Sequence, residues 1–164
     1  MDYSSRQTTA VLYTVGHSNH PIGRFIELIT TAGIELIVDV RSVPYSRFAP
    51  QFNKAALEKS LASAGIGYLY LGDLLGGRPA GSAQGAPLSW EEASAGAPFQ
   101  EGLRRLWELS VSKRCAVMCA ERDPNRCHRK HLIAVGVVMM GGAVTHLLYD
   151  GTLVPERPEP SILR

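Results

Sequence analysis

The apolar positions of the chain fall into short unbroken runs separated by amphipathic stretches. The segments "VLYTV" (11–15), "ELIVDV" (35–40), "GYLYL" (67–71), "CAVMCA" (115–120) and "AVTHLLY" (143–149) read as buried strands. Between them, Phe25, Ile26, Ile29 and Ala32 recur at helical spacing. Pro21 suits the first turn of that helix and Gly33 closes it. Asn53 is a good N-cap for "KAALEKSLASA", which Gly65 ends. The stretch "FQEGLRRLWELSVSK" (99–113) puts Leu103, Leu106, Trp107 and Val111 on one face. "RCHRKHLIAVGVVMM" (126–140) reads as one further helix, basic at its start and apolar later, stopping at Gly141 and Gly142.

Strands that are apolar throughout and alternate with helices predict a parallel sheet covered on both faces. The expected fold is therefore α/β: a three-layer α/β/α, Rossmann-like domain with a mainly parallel sheet of about five strands. Right-handed crossovers fit a strand order 3-2-1-4-5. The domain is expected over 11–150, between a flexible polar segment at 1–10 and a proline-rich tail at 151–164. Residues 72–98, rich in Gly, Ala, Ser and Pro, read as a lid-like loop.

Composition changes this picture little. A net charge of +2 over 164 residues is too weak by itself to argue for nucleic acid. Three cysteines, an odd number, do not make a disulfide framework. The opening "MDYSSRQTTA" has no apolar core, and the apolar run 132–140 is too short to span a bilayer. A cytoplasmic protein with reduced thiols and no membrane partner is expected.

The candidate chemistry gathers after the carboxyl ends of the strands, where ligands bind in such sheets. His17 and Ser18 follow the first strand, Asp39 and Arg41 end the second, and Gly76 and Gly77 lie beyond the third. Cys119, Glu121, Cys127, His128 and Arg129 follow the fourth, in "CAERDPNRCHR". Strand ends facing the other way carry no comparable cluster. The step at His17 and Ser18 also offers free backbone N–H groups to an anion.

Four readings of "CAERDPNRCHR" stand side by side. Cys119, Cys127, His128 and His131 have zinc-ligand types but lack the usual C-x₂-C spacing. Cys119 at a strand end is similar to the nucleophile of phosphatases and rhodaneses, which place an arginine six positions later; here that position is Asn125 and Arg126 is one late. Arg122, Arg126, Arg129 and Lys130 form an anion site at a helix start, with Glu121 and His128 for proton transfer. The fourth reading is a solvated basic turn.

The combination "YTVGHSN", "LIVDVRSVPYSRF", "LGDLLGG", "MCAERDPNRCHRKHLIA" and "VTHLL" resembles the domain of unknown function 488 family, from about Tyr13 to Leu148. Its shared motifs fall on Gly16, His17, Ser18, Asp39, Arg41, Pro44, Ser46, Leu75, Gly76, Gly77, Cys119, Glu121, Cys127, His128 and Arg129. The resemblance implies a site made from these loops and names no substrate, no reaction and no cofactor.

These observations point to a small enzyme acting on an anionic, phosphate-bearing substrate, a nucleotide or nucleic-acid component, by hydrolase- or transferase-type acid–base chemistry. The expected catalytic residues are Glu121, Asp39, His17, His128 and Cys119. The expected substrate contacts are Ser18, Arg41, Ser46, Gly76, Gly77, Arg129 and Cys127, with Gly76 and Gly77 as hinges of the lid. One alternative is a nucleic-acid-binding or repair enzyme, using Arg47, Arg78, Arg104, Arg105 and Arg114 with Tyr45, Phe48 and Tyr70 for stacking. A non-catalytic nucleotide sensor and a zinc protein are the others.

Overall fold

Each apolar run does become a strand, and the strands pair into one sheet. A computed structural model describes residues 9–78 and 88–157. Along the chain come β1 (Val11–Gly16), α1 (Ile22–Thr31), β2 (Leu36–Asp39), α2 (Lys54–Ser63), β3 (Gly67–Tyr70), α3 (Gly72–Leu75) and α4 (Trp90–Ser94). Then follow α5 (Ala97–Ser112), β4 (Cys115–Cys119), α6 (Val135–Met139), β5 (Ala143–Leu147) and β6 (Leu153–Pro155). Residues 1–8, the centre of the proposed lid at 79–87 and the tail beyond 157 lie outside the described residues.

The sheet order is β3-β2-β4-β1-β5-β6, with the first five strands parallel and β6 antiparallel to β5. This corrects the expected order, because β4 and not β1 lies beside β2. Both orders satisfy right-handed crossovers, so handedness does not choose between them. Burial fits the outcome: β4 is buried at every position and takes the middle, whereas β1 exposes Val11. The sixth strand was not expected. Its three exposed residues carry no alternation to read, and Pro155 is tolerated because the strand is at the edge.

Strand side chains alternate between two apolar clusters. Tyr13, Val15, Ile37 and Met118 pack with Phe25 and Ile29 of α1 and Leu57 and Leu61 of α2. Leu12, Val38, Val117 and Cys119 pack with Leu103 and Leu106 of α5 and Val137 of α6. Val111, read as part of the α5 face, is exposed instead.

Three local readings change. Asn53 precedes α2, but its side chain does not cap it; Oδ1 accepts the Ser46 N–H at 2.7 Å. The region 72–98 is not all loop: it contains α3 and α4, and Ser89 with Glu92 forms a capping box on α4. That S-x-x-E signal is present in the sequence. The helix expected from 126 is broken into a 3-10 turn (Pro124–Arg126), an extended Cys127, a π-helical segment (Arg129–Ala134) and α6. Among the described residues no helix is long and apolar enough to cross a membrane.

Candidate functional site

Asp39 ends β2 beside the centre of the sheet, and Arg41 lies two residues on. The Arg41 guanidinium grips the Asp39 carboxylate with Nε at 2.9 Å and NH2 at 2.7 Å, and its backbone N–H adds a bond of 3.1 Å. The Tyr68 hydroxyl donates to the same carboxylate at 2.7 Å. Both ion-pair partners are buried. A buried pair of this kind persists because the carboxylate's lone pairs are satisfied. The Tyr68 phenol is pushed up, by burial first and then by its bond to Asp39.

Arg41 NH1 lies 3.3 Å from His17 Nε2, while His17 Nδ1 donates to the Ser18 carbonyl at 2.8 Å. The Ser18 carbonyl can only accept, so the proton sits on Nδ1 and Nε2 receives the arginine N–H. The ring stacks on Phe52 at 4.4 Å. Burial chiefly lowers the His17 pKa from 6.5 to about 4, with Arg41 adding to the effect. The unfolded chain therefore takes up a proton that the folded chain refuses between these values. This contribution to stability is present above pH 6.5 and disappears as pH falls toward 4. Its size is roughly 3 kcal/mol by linkage. Urea unfolding at pH 7 and pH 4 should thus show a steeper loss for the native protein than for His17→Asn. Equal losses in the two proteins would contradict a buried neutral imidazole.

The opposite wall is the segment after β4. Cys119 Sγ and Cys127 Sγ are 2.6 Å apart. Arg129 donates to Cys119 Sγ at 2.7 Å, to the Glu121 carbonyl at 2.6 Å and to the Arg122 carbonyl at 3.1 Å. His128 Nε2 donates to the Val40 carbonyl at 3.0 Å, which leaves the lone pair of Nδ1 toward Cys127 Sγ at 3.7 Å. The bond from Cys119 holds the Cys127 thiol well below its usual range, and His128 adds to this. Burial pushes Cys119 well above that range.

Glycines let these walls close. A Cβ on Gly77 would lie 2.7 Å from Cγ of His128, and one on Gly76 would lie 2.4 Å from Ser42 Oγ. Neither glycine has positive φ, so close approach accounts for both without a hinge.

Between the walls lies a cleft of about 700 Å³. Among the described residues it is lined by three arginines (Arg41, Arg78 and Arg126), two imidazoles (His128 and His131), two cysteines (Cys119 and Cys127) and one carboxylate, Glu121. Ser42, Gly77, Ala120 and the apolar Val43, Leu88 and Leu132 also line it. A hollow of about 450 Å³ at the amino ends of the strands offers as charged groups only Glu35 and Lys113. This hollow carries fewer charged groups than the cleft.

The candidate residues divide sharply. Arg41, Gly77, Cys119, Glu121, Cys127 and His128 line the cleft; His17, Ser18, Asp39, Ser46, Gly76 and Arg129 do not. Asp39 and His17 sit behind Arg41 and fix it. Arg129 is 1% exposed and directs NH1 and NH2 at carbonyls and sulfur, so it braces the loop. The Ser46 hydroxyl accepts from the N–H groups of Phe48 and Ala49, at 3.2 and 3.3 Å, inside its own turn. The amides of His17 and Ser18, read as offered to an anion, bond instead to the carbonyls of Cys119 and Ala120. Ser18 itself sits at φ 45°, a strained turn conformation for a residue with a side chain. Arg122 stacks over Tyr149 at 3.7 Å rather than joining a basic cluster. Among the described residues no group of three or more His, Cys, Asp or Glu, Cys119, Cys127, His128 and His131 included, is placed to hold a metal ion.

Tyr68 was missed as part of the site, and Tyr70, read as a stacking residue, holds the loop at Arg41 instead. Their spacing on β3 puts them on one face toward the end of β2, and Tyr70 donates to the Arg41 carbonyl at 2.9 Å. The signal was the pairing of two tyrosines at i and i+2 beside a strand-end acid.

The family model for the domain of unknown function DUF488 matches residues 21–135. The chain belongs to this family. No curated protein and no solved structure matches it. The DUF488 match spans Asp39 through Arg129 but stops short of His17 and Ser18, so it is narrower than the resemblance from Tyr13 to Leu148. In this DUF488 chain, then, the matched segment supplies every described residue that lines the cleft, and the turn after β1 supplies the His17 prop behind it.

Proposed function

We propose that this DUF488 protein is a small enzyme that binds an anionic, phosphate-bearing substrate, a nucleotide or nucleic-acid component, in the cleft at the carboxyl ends of β2 and β4. The observation that carries the reading is the lining of the cleft: among the described residues Arg41, Arg78 and Arg126 lie there with one carboxylate, Glu121, and Arg41 shares its charge with Asp39 behind it. Its volume suits a metabolite-sized ligand. Arg41 is held in one orientation by Asp39 and His17, so it meets an anion with little entropy left to lose. Arg126 is exposed at the rim and free of any packing role. Glu121, the one carboxylate lining the cleft among the described residues, is placed to take a proton or orient water for hydrolase- or transferase-type chemistry. His128 is the second proton-transfer group.

One observation favours a nucleic-acid component within this reading. Tyr45 and Phe48 are 66% and 85% exposed, on the loop that leaves the cleft through Ser42 and Val43. Arg47 lies over the Phe48 ring at 4.9 Å. Exposed aromatics beside a phosphate site suit a stacked base. A long duplex groove is not supported: Arg104 is paired with Glu101 and Glu108. Arg114 precedes β4 at the opposite end of the sheet and lies over Tyr13. Tyr70, expected to stack, is spent on Arg41 and Lys54.

A thermal-shift screen of nucleotides, phosphorylated metabolites and short oligonucleotides tests the proposal. Arg126→Glu should leave the melting of the ligand-free protein unchanged while weakening a hit by roughly ten- to a hundredfold, as expected for losing a charge-assisted contact. A hit whose affinity is unchanged in Arg126→Glu would place binding elsewhere.

A further inference from the structure

Arg129 is among the largest fully buried side chains of the protein, yet no carboxylate is paired with it among the described residues. Its Nε also has no hydrogen-bond partner. A guanidinium removed from water needs a negative counterpart. The groups beside it that can carry such a charge are the sulfurs of Cys119, at 2.7 Å from Arg129, and of Cys127, at 2.6 Å from Cys119. On its far side Cys127 meets the proton-free Nδ1 of His128, whose ring is held by the Val40 carbonyl and walled in by Gly77. Both cysteines line the cleft. This is a thiol pair with an adjacent base, a fixed cation and an entry path. Acid–base work on an anion by Glu121 and His128 uses neither sulfur.

We propose that Cys127 and Cys119 form a redox-active dithiol that a hydroperoxide oxidises to a disulfide, with Cys127 attacking and Cys119 resolving. The Cys127 thiol gives its proton to His128 Nδ1, and its sulfur attacks the near oxygen of the peroxide. The S–O bond forms, the O–O bond breaks, and the leaving oxygen takes the proton from His128 as an alcohol or water. The Cys119 sulfur then attacks the Cys127 sulfenic acid. The S–S bond forms, the S–O bond breaks, and hydroxide leaves with the Cys119 proton as water. Two electrons pass from the two sulfurs to the peroxide. An external dithiol restores the pair by exchange. Arg129 stabilises the sulfur anion in each step, as cations near reactive cysteines do.

Cys115 is the internal control: it is fully buried on β4, and burial pushes its thiol up to about 11. The test treats the full chain with hydrogen peroxide and maps thiols and disulfides by mass spectrometry of non-reduced peptides. One equivalent should remove two of the three thiols, join the peptides of Cys119 and Cys127, and leave Cys115 free. In Cys119→Ser, dimedone should trap a sulfenic acid on Cys127. Cys127→Ser should react at least about tenfold more slowly, and His128→Asn should slow the first step by a similar factor. Survival of all three thiols, a link through Cys115, or a dimedone adduct on Cys119 with none on Cys127 would overturn the proposal. No anionic ligand enters this experiment, so its outcome is independent of the substrate reading.

Discussion

Asp39→Ala will unfold this protein about 4 kcal/mol more easily than the native chain, within the usual cost of leaving one partner of a buried ion pair alone. The Asp39 carboxylate is fully buried and accepts from the Arg41 backbone, from Nε and NH2 of Arg41 and from the Tyr68 hydroxyl. Alanine strands all of these donors at once. The Arg41 charge, 6% exposed, cannot recover its hydration without leaving its place. For a domain of this size the melting temperature should drop by roughly 10 °C or more. Asp39→Asn keeps the shape but not the charge, and an amide cannot receive the guanidinium fork, so it too will be strongly destabilised. Urea unfolding measures both. A loss below about 1 kcal/mol for alanine would mean that the pair is solvated, contrary to its burial.

Arg129→Ala should be comparably severe, about 4 kcal/mol, because it combines a cavity with stranded polar groups. The carbonyls of Glu121 and Arg122 and the sulfur of Cys119 lose their donor together. Lysine will not rescue this site: one ammonium cannot reproduce the planar fork that spans the carbonyls and the sulfur. The segment from Glu121 to His128 should loosen first, visible as faster amide exchange there than in β2 or β3. A variant that melts like the native protein would refute the bracing role.

Much of the fold was legible because buried parallel strands announce themselves as apolar runs and α1 and α5 have strong helical spacing. The place of β4 was not, since two strand orders satisfy the same local rules and only packing of the whole sheet decides between them. Asn53 shows a second limit: its residue type fits a cap, yet Ser46 offers a competing donor from across the loop. The site shows a third. The residues Asp39, Arg41, Cys119, Glu121, Cys127 and His128 were singled out because they lie at or after strand ends. Their depth was hidden, because a sequence gives residue types without rotamers. Arg129 looked like a ligand for an outside anion, and its side chain turns inward to carbonyls and sulfur. Arg126, one of its neighbours in the same basic run, is the one that reaches the cleft.

The central claim is that an anion binds between the end of β2 and the segment after β4. Backbone amide shifts followed by NMR during a titration with inorganic pyrophosphate test it most directly. The claim predicts saturable shifts concentrated at Arg41, Ser42, Gly77, Glu121 and Arg126 to His128, and their loss in Arg126→Glu. Shifts centred on Arg104 and Arg105 of α5, or on Gly33 and Lys113 at the other end of the sheet, or no saturable shifts at all, would contradict it.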